Sequence, residues 1–245
     1  RQRQMCIRDR YVYSASVVNQ WLEKPSTQPK NKKIVFVTFD DGPTTKFTGE
    51  QLDNLEKAGA RATFFMIPPQ MRDVGKNMLS RSLKMGNALA IHSYSHDYKY
   101  LYHGSAANKA KHISCDWDWA MAQSRAILGS NYFSSAFRYP GGHMSWTNLS
   151  QADATLAKRG VGWIDWNAMS GDADAQRPTT VPGYLQMVKK SIKESNNPNV
   201  VVILNHDTYG KQMTAKAMPS ILAWLKSQGY EFGAVSYTHL TLPTI

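Results

Sequence analysis

Two carboxylates, Asp40 and Asp41, stand side by side in Thr38-Phe39-Asp40-Asp41-Gly42-Pro43. Two histidines stand four apart in His92-Ser93-Tyr94-Ser95-His96. Histidine is the commonest metal ligand. Two imidazoles plus one carboxylate hold a divalent ion such as Zn²⁺ and leave a position open for water or substrate. On a helical turn, residues four apart share one side with Cβ atoms about 5–6 Å apart, so His92 and His96 could grip one ion. Neighbours in a strand point to opposite faces. The Gly-Pro after Asp41 turns the chain at once, so both carboxylates can face one mouth, one to bind metal and the other to take protons. Each motif alone is also ordinary, since Asp-Gly is a common turn dipeptide and spaced histidines often decorate surfaces. His112 and Asp116 share the spacing of the histidine pair; they fall inside a long helical pattern and are read as decoration.

Hydrolysis needs more than a metal and a base. The ion polarises a carbonyl and lowers the pKa of its water, a free carboxylate takes the water's proton, and another group protonates the leaving amine. His206, after the apolar run 200–204, is the candidate acid, and Asp172 could hold its other ring nitrogen and favour its charged form. Arg138 opens Arg138-Tyr139-Pro140-Gly141-Gly142. Its guanidinium can fix a carboxylate by paired hydrogen bonds. The glycines let a backbone N–H approach an oxyanion.

These residues must be brought together by the elements between them. Apolar, β-branched runs predict strands at 34–39, 62–67, 88–92, 136–138, 161–166, 200–205 and 230–235. Helical patterns lie at 49–58, 77–85, 108–128, 148–158, 181–195 and 215–227. Gly59, Gly160 and Gly229 follow three of the helices as stop signals. The alternation implies βαβ units and a largely parallel α/β sheet. So many units in roughly 200 residues fit a closed barrel better than an open sheet. Asp40, Asp41, His92, Arg138, Asp172 and His206 all fall at or shortly after strand C-termini, the face where barrels build their active sites.

Composition sets the outer bounds. The chain has 245 residues, 42% of them hydrophobic, enough for one catalytic domain, placed at 33–235. It has no apolar run of transmembrane length. Its two cysteines, Cys6 and Cys115, make no disulfide framework. The formal charge is +11, which suits a polyanionic surface, either nucleic acid or an anionic cell wall, and equally an ordinary solvated basic surface. The Lys and Arg are scattered along the chain, which argues against a nucleic-acid face. Residues 24–33, rich in Pro, Lys and Asn, read as a linker, making 1–32 an N-terminal segment. The head around Met5-Cys6-Ile7-Arg8-Asp9-Arg10 and the tail from Ser236 resemble translated adaptor sequence, so 1–10 and 236–245 are set aside as non-native.

Taken in order, the five blocks resemble the polysaccharide deacetylase family, also called carbohydrate esterase family 4. The resemblance covers the chain from about Ile34 to Val235. It implies a distorted (β/α)₇ barrel and one divalent metal, commonly Zn²⁺, with Co²⁺, Ni²⁺ or Mn²⁺ as substitutes. It implies Asp40 as general base, Asp41, His92 and His96 as ligands, and His206 as general acid paired with Asp172. It makes Arg138 the partner of the base and Gly141 N–H the oxyanion donor, and it sets Tyr139, Pro140, Trp166 and Leu204 beside the substrate. The chain departs from the family in two places. The fourth block lacks its first Asp and final Trp, so Asp165-Trp166 offers a rival alignment to Asp172. The third block has Tyr139 and Gly141 where other members carry Pro and Tyr. The tyrosines of 94–102 could stack on sugars or simply pack. The third and fourth blocks look like those of Gram-positive surface deacetylases, which implies an N-acetylglucosamine-containing cell-wall glycan, a monomer, and a location outside or on a bacterial cell behind a native signal or anchor. The alternatives are a chitin-oligomer deacetylase, an O-acetyl xylan esterase, and an inactive glycan-binding module. The intact Asp40, His206 and metal trio argue against the last.

Overall fold

The computed structural model describes residues 11–235, so the readings made for 1–10 and 236–245 lie outside the described residues. Ten strands are formed there: β1 (Val12–Tyr13), β2 (Lys33–Gly42), β3 (Ala62–Met66), β4 (Ala88–Ile91), β5 (Ala136–Phe137), β6 (Gly162–Trp163), β7 (Ala168–Met169), β8 (Val200–His206), β9 (Tyr230–Phe232) and β10 (Ala234–Val235). The α-helices are α1 (Ala15–Glu23), α2 (Thr45–Ala58), α3 (Met71–Lys84), α4 (Tyr98–Tyr102), α5 (Ala106–Leu128), α6 (Ser150–Lys158), α7 (Val181–Glu194) and α8 (Gln212–Ser227). Helix α2 shows how local sequence sets the limits. Thr44 caps its first turn by accepting from Phe47 N–H, and Gly59 ends it in the left-handed region at φ 61°.

The main sheet is parallel throughout, in the order β6-β5-β4-β3-β2-β8-β7. β9 pairs with the start of β2 along Lys33–Val35, and β3 pairs with β2 from Val37 onward. No backbone ladder among the described residues joins β6 to β7. The stretch between them is hooked instead at Ile164 N–H to Phe137 O and at Asn167 N–H to Val202 O. The sheet therefore curls into a distorted (β/α)₇ barrel. The predicted strand at 161–166 is only two residues long, and β7 was not foreseen, because this seam is held by loop and side-chain bonds rather than by a ladder. The predicted strand at 230–235 is split at Gly233, where a Cβ would lie 2.6 Å from the Phe36 ring.

The strand period of two sorts side chains between barrel interior and outer layer. Ile34, Phe36, Phe65, Ala90, Ala136, Val200 and Val202 form one inner cluster; Val35, Val37, Phe39, Phe64, Leu89, Phe137 and Val201 face the helices. The inner parity runs on to Thr38 and Asp40, to His92, to Arg138, and to Leu204 and His206. Apolar residues thus fill the N-terminal half of the barrel and polar ones its C-terminal mouth.

The segment before β2 packs against the barrel. Ala15 and Val18 of α1 join the inner cluster and close the bottom of the barrel. β1 pairs with β10. The Gln28 side chain donates to Trp21 O and accepts from Val200 N–H. Within 24–33, Gln28 N–H donates to Pro25 O, Pro29 O accepts from the Asn199 side chain, and Lys32 pairs with Glu231 at 3.0 Å.

Candidate active site

The two carboxylates face one mouth for a reason the sequence reading missed. β2 does not turn at Gly42. It continues to Gly42, and its pairing with β3 slips by one residue between Asp40 and Gly42, a bulge at Asp41 with φ 68°. The bulge re-aims Asp41, so neighbours that would point apart point together. Nor do His92 and His96 lie on a helical turn. They flank a tight loop in which Ser93 and His96 have positive φ (98° and 50°). The loop is tied by His96 N–H to Ser93 Oγ, and by Tyr94 N–H and Ser95 N–H to the two oxygens of Asp116 at 2.7 and 2.9 Å. Asp116 has no exposed surface, so the reading of it as decoration is corrected. A charged residue facing the buried side of α5 was the signal that could have found it.

Three ligand atoms of Asp41, His92 and His96 lie within 4.8 Å of one another. His92 Nδ1 is 2.9 Å from the carbonyl oxygen of Arg138. A carbonyl can only accept, so Nδ1 carries the proton and Nε2 presents a lone pair. Asp41 Oδ1 sits 3.3 Å from His92 Nε2 and 3.2 Å from His96 Nε2, and it is buried without a hydrogen-bond donor. His92 Nε2 thus brings a lone pair toward an Asp41 oxygen that is itself unbonded, and His96 Nε2 stands beside both, an arrangement a cation would fill. The residues present therefore fit a divalent ion.

Asp40 has different surroundings. Its Oδ1 accepts from Arg138 Nη1 at 2.9 Å, and its Oδ2 lies 3.8 Å from His92 Nε2. Arg138 is fully buried and every arm is used. Nη1 also reaches Thr38 Oγ1, Nε donates to Ile164 O, and Nη2 donates to Asp165 O. The guanidinium also stacks over Phe65 at 4.1 Å.

Across the mouth, His206 Nδ1 is 2.8 Å from Asp172 Oδ1, while Asp172 Oδ2 accepts from His206 N–H and Thr214 Oγ1. Burial alone would lower the His206 pKa, but the bond to Asp172 and its charge outweigh this and raise it. Asp172 is buried too, yet His206 and Lys211 hold its carboxyl below the usual range. Geometry separates the two rival carboxylates. Asp165 accepts from the N–H groups of His143 and Met144 and shapes the loop after Gly142, whereas Asp172 meets His206.

The residues expected beside the substrate fare unequally. Gly141, at φ 79°, lies in the loop that follows Arg138, and none of the described residues accepts a hydrogen bond from its N–H. Trp166 and Leu204 are half-buried on the barrel. Pro140 is buried, and its carbonyl accepts from Tyr102 Oη and Trp146 Nε1. Tyr139 is fully buried and points away, its hydroxyl donating to Asp153 at 2.8 Å. It cannot touch a substrate, because its odd position in the strand period puts it in the outer layer. Tyr100 and Tyr102 stack on His112 and Trp146 respectively.

Reactive side chains gathered at the C-terminal ends of parallel strands define a barrel enzyme. The family follows from comparison. The family model for polysaccharide deacetylase matches residues 27–158, more than half of the chain, and the chain belongs to that family. A carbohydrate esterase family 4 esterase from Streptococcus mutans has a similar structure, with TM-score 0.83, 39% identity and 93% of each chain covered. A bifunctional xylanase/deacetylase from Pseudobutyrivibrio xylanivorans is 31% identical over 86% of this chain, which spans only 31% of that protein. A peptidoglycan-N-acetylglucosamine deacetylase from Bacillus cereus is 28% identical over 84% of this chain and 70% of its own.

Proposed function

We propose that the chain hydrolyses N-acetyl groups from an N-acetylglucosamine-containing cell-wall glycan, releasing acetate, with Asp41, His92 and His96 holding one divalent ion, Zn²⁺ first among the candidates. One observation carries this reading: adjacent carboxylates occupy unlike environments, Asp41 against the Nε2 atoms of His92 and His96, and Asp40 against Arg138. That is the division of labour a ligand and a base require.

The bound ion supplies polarisation of the acetyl carbonyl and a more acidic water. The chain's own residues do the rest. Asp40, oriented by Arg138, accepts the proton of the water whose oxygen bonds to the acetyl carbon. Gly141 N–H donates to the carbonyl oxygen as negative charge develops on it. His206, kept protonated and aimed by Asp172, delivers a proton to the nitrogen as the C–N bond breaks. Acetate and a free amine result.

The peptidoglycan substrate rests on the Bacillus cereus relative's name and on the +11 charge, which suits an anionic wall. The same reading puts the protein outside the cell or on its surface, acting as a monomer. No described helix is long and apolar enough to cross a membrane. The Pseudobutyrivibrio relative makes acetylated xylan the second substrate to try. The test is an acetate-release panel of peptidoglycan, chitin oligomers and acetylated xylan, run with Zn²⁺, after chelation, and with Asp40→Asn. Release should be greatest from peptidoglycan, vanish on chelation, and fall by about 10²-fold or more in Asp40→Asn with the ion still bound. Activity surviving thorough metal removal would overturn the mechanism, and preference for xylan would overturn the substrate.

A further inference from the structure

We infer that Tyr98, a residue with no assigned role, is a substrate-contacting residue of this site: its ring walls the acetylated sugar, and its hydroxyl donates to the acetyl carbonyl oxygen alongside Gly141 N–H. This rests on the deacetylase reading above.

Gly141 has no side chain, and the space one would fill is taken from another segment. A Cβ built on Gly141 would lie 3.2 Å from Tyr98 Oη and 3.4 Å from its Cζ. The Tyr98 hydroxyl therefore stands next to the backbone whose N–H has no acceptor. The ring also approaches the metal trio, its centroid 5.5 Å from that of His96. Tyr98 is 43% exposed, and the open part of its ring is what a sugar could cover.

Tyr98 is also held in place. It opens α4, whose N-terminus is capped by Asp97 accepting from Lys99 N–H and Tyr100 N–H. Trp146 braces it edge-on at 5.3 Å and Tyr102 at 6.1 Å. Those two rings stack on each other at 3.9 Å, and both donate to Pro140 O, one residue before Gly141. The aromatic wall and the Gly141 loop are thus one unit. A rigid amphipathic ring with a polar tip suits a sugar, which offers an apolar face and hydroxyls at its rim.

The experiment compares Tyr98→Phe and Tyr98→Ala with the unaltered full chain, Zn²⁺-loaded, on a tetramer of N-acetylglucosamine. Tyr98→Phe removes only the hydroxyl and should lower kcat about tenfold with KM within about twofold, the signature of a bond made in the transition state. Tyr98→Ala should lower kcat likewise and raise KM about fivefold or more. Zn²⁺ affinity, measured by competition with a chromophoric chelator, should stay within about twofold in both. Unchanged kcat and KM in both variants would overturn the inference, as would losses that track lost Zn²⁺. Should the unaltered chain release no acetate from any N-acetylated glycan, the deacetylase reading fails instead. Calorimetric binding of the tetramer then decides about Tyr98: about fivefold weaker binding in Tyr98→Ala supports it and equal binding overturns it.

Discussion

Arg138 holds Asp40 at 2.9 Å with both side chains sealed from solvent. Breaking a buried pair leaves a charge without compensation and costs about 3–5 kcal/mol. Arg138→Met should lose stability of that order in chemical denaturation. Arg138→Met with Asp40→Asn should recover part of it, since no unpaired charge then remains. Arg138→Lys keeps the charge but not the fork that reaches Asp40, Ile164 and Asp165, so it should still lose activity. A double variant no more stable than Arg138→Met would contradict the account.

Asp116 organises the loop between the two histidines by accepting from Tyr94 N–H and Ser95 N–H. In Asp116→Asn, one of the N–H groups of Tyr94 and Ser95 would face an amide NH₂ instead of an oxygen. The buried donor left unsatisfied should loosen the loop and weaken Zn²⁺ binding about tenfold, the scale of supporting hydrogen bonds around metal ligands. Equal Zn²⁺ affinity in a chelator competition would show that the loop holds its shape unaided.

Asp172 raises the pKa of His206, and the proposed acid works only while protonated. Activity should therefore fall as pH rises through that raised value. Asp172→Asn removes the carboxylate, so the alkaline limb of the kcat profile should move to lower pH, with kcat reduced on the order of 10²-fold. An alkaline limb that stays where it was would remove His206 from the profile.

Asp207 lies behind Gly42, fully enclosed, and burial pushes its carboxyl up to about 7. Thr48 Oγ1 donates to it, while the nearby charges of Asp40 and Asp41 push it higher. A carboxyl whose folded pKa exceeds its unfolded one favours folding at low pH, an effect lost as pH rises through the folded value. Stability of the metal-free protein should therefore fall by a few kcal/mol between about pH 4 and about pH 8 on this account, and Asp207→Asn should flatten that slope. Identical slopes in thermal melts would show that Asp207 titrates normally. Gly42→Ala should destabilise the fold at any pH, because its methyl would run into Asp207 Oδ1.

The barrel was legible because strands 34–39, 62–67 and 200–205 are almost wholly apolar, as strands buried on both faces are. The seam between β6 and β7 was not, since two-residue strands leave no period to read. The six polar residues at strand ends were legible by type and position. Asp116 was not, because its purpose is to accept from backbone N–H groups some twenty residues earlier in the chain. Tyr139 was misplaced because the motif named it and the strand parity was not applied.

The sequence by itself determined the inventory: which side chains can bind an ion, take a proton or give one, and that they come at the ends of parallel strands. Residue type and spacing carry this, being local chemistry. Only the tertiary structure decided the division of labour. The bulge at Asp41 turns its carboxylate to His92 and His96 while Asp40 beside it meets Arg138. Contact with His206 selects Asp172 over Asp165, and packing turns Tyr139 away while bringing Tyr98 to Gly141. Each of these depends on distances between segments far apart in the chain, which no local pattern encodes.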